Sequence, residues 1–127
     1  MNADRNLAWT GWWIAIVGII HTVFGLLVYS TGWLAIRDGG FWNAVDGEIH
    51  REHAFWFTFF GPAAMLLGAL MVWVEQHSDL RLPRFLGWSF LGTVAVTGFL
   101  MPVSGIWLLI PPGIALVWRR PVALPKH

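Results

Sequence analysis

Asp46, Glu48, His50, Arg51, Glu52 and His53 crowd one short stretch of the chain, and directly after them Ala54-Phe55-Trp56-Phe57 opens an apolar segment. Carboxylates and imidazoles beside an apolar wall are material for acid/base catalysis, because leaving water moves their proton affinities toward neutral working values. His21 stands apart, near the middle of an earlier apolar segment. An ionisable group at membrane depth is a functional candidate by default. One reading is therefore proton transfer on a sterol-like or isoprenoid-like molecule. It would use His21, Glu48 and Glu52 as catalytic groups, with Asp46, Asn43, Phe57, Gly61 and Trp107 lining the pocket. For His21 alone, the competing reading is a neutral imidazole that donates one hydrogen bond to a neighbouring helix.

The same cluster supports three other readings. In a purely structural one, Glu48 and Glu52 complement the dipole at a helix amino end while His50 and His53 sit in the wet interface. In a metal site, His50 and His53 at i, i+3 face one way on a helix and Glu48 or Asp46 adds an oxygen. Gly47 interrupts a continuous helix back to Asp46, and only the two imidazoles are certain ligands, so no metal is assigned. In a haem site, His53 or His50 serves as axial ligand at a helix mouth, walled by Phe and Trp.

The elements that must position these groups follow from composition. Of 127 residues, 57% are hydrophobic and 12% charged, with ten Trp, whereas soluble domains carry about 25% charge. Residues 9–30, 54–74 and 85–118 contain no Asp, Glu, Lys or Arg. Runs of about 18 or more such residues read as membrane spans. The third run is too long for one span, and Met101-Pro102-Val103-Ser104-Gly105 within it is turn chemistry. The expected fold class is all-α: an integral membrane four-helix bundle, one domain, with spans at about 9–30, 54–74, 85–101 and 106–118. The first run is about twice as long as a signal-peptide core, and Tyr29, Trp33 and Leu34 follow where a small-residue cleavage site would be, so it is read as a retained span. The chain has no Cys, which excludes disulfides and thiolate catalysis. Its basic residues are scattered, which argues against a nucleic-acid partner.

Arg5, Arg81, Arg84, Arg119, Arg120 and Lys126 would share one side of the membrane, and Arg37 and Arg51 the other. The positive-inside rule then puts both termini in the cytoplasm of an inner-membrane, multi-pass protein, with 31–53 as an extracytoplasmic loop. Trp residues near both boundaries form an aromatic belt on each side. Loop 31–53 is long, and its Trp33-Leu34-Ala35-Ile36 and Phe41-Trp42 are too apolar for a tether; it should lie on the membrane surface or fold over the bundle.

Gly11, Gly18, Thr22 and Gly25 fall in one narrow sector of the first span, a stripe where another helix approaches closely. His53, Phe57, Gly61, Ala64, Gly68 and Met71 share a face of the second. Pro62 should bend that helix. Ser89, Thr93 and Thr97 recur every four residues in the third span and either bond their own i−4 carbonyls or line a cavity. Pro111-Pro112-Gly113 should break the fourth span and free the carbonyls of Trp107 and Leu108. The 75–84 connector holds no expected site.

Arg51-Glu52-His53 and Gly61-Pro62-Ala63 resemble styrene oxide isomerase, a small membrane enzyme with four spans. The resemblance implies a His opening the second span that ligates haem b, here His53, with the haem acting as Lewis acid on an epoxide. That family's Asn two turns into the helix has no counterpart among Phe57, Phe59 and Phe60, and helix 3 has no Tyr. A broader resemblance covers nearly the whole chain. Gly18-x-x-His21-x-x-x-Gly25, Asn43-Ala44-Val45, Ala54-Phe55-Trp56-Phe57, Leu82-Pro83-Arg84-x-Leu86-Gly87-Trp88 and Met101-Pro102-x-Ser104-Gly105-x-Trp107 are similar to a family of small bacterial four-span membrane proteins of unknown function. It implies the architecture and no activity. The expected function is binding or processing of a small hydrophobic molecule in an outward-opening, acid-lined aromatic pocket with His21 and His53 as its polar groups. The rival is an accessory protein packing against partner helices, and homo-oligomerisation is compatible with either.

Overall fold

The computed structural model describes residues 8–77 and 81–119, and every regular element among them is helical. In order these are α1 (Trp9–Val28), α2 (Ser30–Asp38), α3 (Ile49–His77), α4 (Arg84–Leu100), a 3-10 helix (Gly105–Leu109) and α5 (Ile110–Val117). α1 and α3 are long and apolar enough to cross a membrane. The chain divides into two compact units, one of Gly11–Leu70 and one whose described residues are 8–10, 71–77 and 81–119.

In the first unit, glycines let α1 and α3 approach until backbone meets backbone. A Cβ on Gly18 would lie 2.6 Å from the Gly61 oxygen, and one on Gly68 2.5 Å from the Gly11 oxygen. Gly25 abuts Phe57 and Thr58 in the same seam. The stripe read on α1 thus meets the face of α3 that carries Gly61 and Gly68. α3 continues through Pro62 as one helix.

The stretch 31–53 is not all loop, because α2 occupies its first part. Tyr29 is a single non-helical residue, and the Trp33 amide still bonds the Tyr29 oxygen, so the chain resumes coiling at once. Gly32 and Ile36, four apart, are buried on one face. A Cβ added at Gly32 would lie 2.7 Å from both the Ala54 side chain and the His50 oxygen, and Trp33 Nε1–H donates to Thr58 Oγ1 at 3.0 Å. This packing against the start of α3 stabilises a helix too short to persist alone. It stops at Gly39-Gly40, where Gly40 takes φ +80° and the Phe41 amide returns to the Ile36 oxygen.

In the second unit, α4 folds back on the 3-10 helix and α5. Gly87 faces Gly113 and Leu116, and Gly98 lies under the Trp107 ring, at 2.8 Å for an added Cβ. Trp107 Nε1–H donates to the Pro102 oxygen at 2.9 Å, which closes the turn. Arg84 Nε donates to the Val117 oxygen at 3.0 Å and caps the end of α5. Pro111 and Pro112 do not break a helix. They stand in the first turn of α5, where their missing amides would have no intrahelical partner in any case. The Trp107 carbonyl is not free either, since the Ile110 amide bonds it.

Candidate functional site

His21 lies on the α1–α3 seam because its position in α1 faces the same way as the glycine stripe. Its Nε2 is 3.0 Å from the Phe57 oxygen. A carbonyl only accepts, so Nε2 carries the proton in this bond and a neutral ring offers Nδ1 as an acceptor. The imidazole stacks on Phe57 with centroids 4.2 Å apart and meets the edge of Phe60 at 5.2 Å. Phe24 and Tyr29 pack on Phe57 in turn, at 6.1 and 5.0 Å. His21 thus does what interhelical glue does, and it also presents a half-buried acceptor in an aromatic cluster. Among the described residues, Nδ1 has no hydrogen-bond partner.

The polar cluster before α3 is employed differently. Glu52 Oε1 accepts from the Gly47 amide at 3.3 Å, and Arg51 Nη1 donates to the Ala44 oxygen at 3.1 Å. The Glu48 oxygen accepts the Arg51 and Glu52 amides and starts the helix. These contacts fasten the 41–48 segment to α3, with Ala44 buried beneath it. Asn43, Asp46, Glu48, His50 and His53 are exposed. Glu52 precedes Phe57 by five residues, about 7.5 Å along the axis, so the carboxylate sits well before the imidazole stack. No group of three His or acidic side chains gathers as a metal site among the described residues. Of the pocket residues expected from sequence, Phe57 joins His21, and Gly61 is consumed by the helix contact with Gly18 and Thr22. Trp107 is held in the α4 turn of the other unit.

An open groove of about 380 Å³ adjoins α2, lined by Leu26, Ser30, Trp33, Leu34, Arg37 and Phe41. Arg37 pairs with Asp38 at its rim, Nη2 to Oδ1 at 2.8 Å. Sequence reasoning missed this groove because it read 31–53 as loop.

Sequence reasoning also missed a buried ion pair in the second unit. Arg119 Nη1 bonds Glu75 Oε1, and Arg119 Nη2 reaches Thr10 Oγ1 at 3.5 Å. The two charged side chains are 7% and 8% exposed, and Thr10 is fully buried. Glu75 Oε2 has no hydrogen-bond partner among the described residues. The available signal was position: each charge immediately borders an apolar run.

An all-helical protein with two membrane-length apolar helices and a histidine between them is the class that fold and site define. The chain belongs to a family of unknown function (DUF6463), which matches residues 5–123. No curated protein and no solved structure matches it.

Proposed function

We propose that the protein is a four-span inner-membrane protein, both termini cytoplasmic, that binds a small hydrophobic molecule bearing a hydroxyl or amine donor beside His21. The observation behind this reading is the His21 imidazole, oriented by the Phe57 carbonyl, stacked on Phe57 and left with Nδ1 as an unused acceptor. A hydroxyl group entering the aromatic cluster would find one acceptor there and apolar surface around it, the usual composition of a ligand site. The Glu52 carboxylate accepts from the Gly47 amide, and the exposed Glu48 stands still further back along the chain from the imidazole stack, so His21 is the group assigned to the ligand.

Membrane residence rests on exposure. The apolar windows of α1 and α3 are only 22% and 33% buried, whereas a soluble core helix would be mostly buried. α4, at 17 residues, reaches about 25 Å and stands at the short limit for a span.

The test is to purify the protein in mild detergent, extract it with organic solvent and identify co-purifying compounds by mass spectrometry. Wild type should carry a donor-bearing hydrophobic compound that His21→Phe loses, because Phe keeps the stack but has no acceptor. Equal retention by both proteins would sink the assignment. An absorbance spectrum of the same sample would instead reveal the styrene-oxide-isomerase-like alternative, as a Soret band abolished by His53→Ala.

A further inference from the structure

The groove beside α2 is built unlike the His21 cluster. Its walls are Leu26 on the last turn of α1, Trp33 and Leu34 on α2, and Phe41 after it, and the one charge among its lining residues is Arg37. Leu26 belongs to an apolar helix of membrane length, while Arg37 sits two turns into α2 with its side chain 60% exposed. The groove therefore runs from hydrocarbon-like surface toward a guanidinium. Asp38 Oδ1 takes only one edge of that guanidinium, Nε at 2.9 Å and Nη2 at 2.8 Å. Nη1 has no partner among the described residues, and guanidinium donors match phosphate oxygens in geometry and charge. At about 380 Å³ the space is at the small end of ligand sites, enough for a length of acyl chain with the headgroup outside.

We infer that this groove is a binding site for an anionic phospholipid, with one acyl chain against Leu26, Trp33 and Leu34 and the phosphate on Arg37. A soluble phosphate would use the guanidinium but not the apolar walls, and a neutral amphiphile the reverse. Both halves together call for a lipid. The site rests on the membrane reading of α1 but not on His21. Failure of the membrane reading would show separately, as protein released from membranes by alkaline carbonate.

The experiment reconstitutes wild type, Arg37→Gln, Leu34→Trp and Arg81→Gln in bilayers of equal phosphatidylcholine and phosphatidylglycerol. Lipid retained after detergent transfer is counted by native mass spectrometry, and helix content by circular dichroism. Wild type and Arg81→Gln should retain phosphatidylglycerol over phosphatidylcholine by about five-fold, the usual effect of one basic residue at an anionic surface. Arg37→Gln should fall to parity, and Leu34→Trp, which fills the groove, should retain less of both lipids at unchanged helix content. Parity in wild type, an unchanged ratio in Arg37→Gln, or an equal loss in Arg81→Gln would overturn the assignment.

Discussion

At the scale of single residues, the two polar features inside apolar surroundings differ in what they cost to disturb. His21 shares its hydrogen bond with a backbone carbonyl and stands half-buried. Interhelical bonds of this type average about 0.6 kcal/mol in membrane proteins. His21→Phe should therefore leave the detergent unfolding midpoint nearly unchanged while abolishing ligand retention, which separates a binding role from a structural one. The Glu75–Arg119 pair is closed off from solvent, and removing one partner strands the other charge. Arg119→Met should destabilise the protein by about 3–5 kcal/mol, and the double change Glu75→Met/Arg119→Met should recover most of that loss. Chemical unfolding in detergent reads both. His21 was legible as a candidate because a lone imidazole in an apolar run must find a polar partner, whether a helix or a ligand supplies it. The ion pair was not, since its members are 44 residues apart and each reads as an ordinary charge at the end of a span.

At the scale of elements, glycine has opposite meanings at positions that look alike in sequence. Gly18 in α1 faces backbone: an added Cβ would meet the Gly61 oxygen at 2.6 Å and the Met65 nitrogen at 2.7 Å. Gly92 in α4 has nothing within 4 Å. Gly18→Ala should force α1 and α3 apart and cost about 1–3 kcal/mol. Gly92→Ala should stabilise by about 0.5–1 kcal/mol through restricted backbone freedom. Both are measured by denaturant titration in one detergent. The α1 stripe was readable from 100° periodicity alone. α2 was not, because Ser30-Thr31-Gly32 is poor helix sequence and its helix is supported by Ala54 and Thr58 of α3. The same kind of context moved Pro111-Pro112 from a broken span to a helix start: the preceding residues take up 3-10 coiling, and α5 begins where prolines are tolerated.

At the scale of the molecule, the surface is governed by exposed apolar side chains, among them Leu27 at 71%, Leu66 at 72% and Phe99 at 87%. In water a surface of this kind would aggregate, whereas hydrocarbon solvates it. The protein should stay in the membrane pellet after carbonate extraction. Because the chain has no Cys, single cysteines at Asp46 and His77 report topology without background. A membrane-impermeant maleimide applied outside intact cells should label Asp46→Cys and spare His77→Cys; the reverse pattern would invert the orientation, and labelling of both would contradict a single crossing by α3.

Charge-free runs, tryptophans at their ends and the spacing of glycines are one-dimensional quantities, and from them the sequence alone determined that the described residues fold as helices, that the first two of the four expected spans have membrane length, and that small residues line one face of α1. What it left open depended on partners distant in the chain. That Glu52 and Arg51 bond the 41–48 segment, that Phe57 orients His21, that α2 coils and creates a groove ending at Arg37, and that Glu75 meets Arg119 were decided by tertiary structure. The physical reason is the same in each case: a polar side chain takes the nearest satisfactory partner in space, and chain order does not reveal which backbone groups and charges the packing brings within reach.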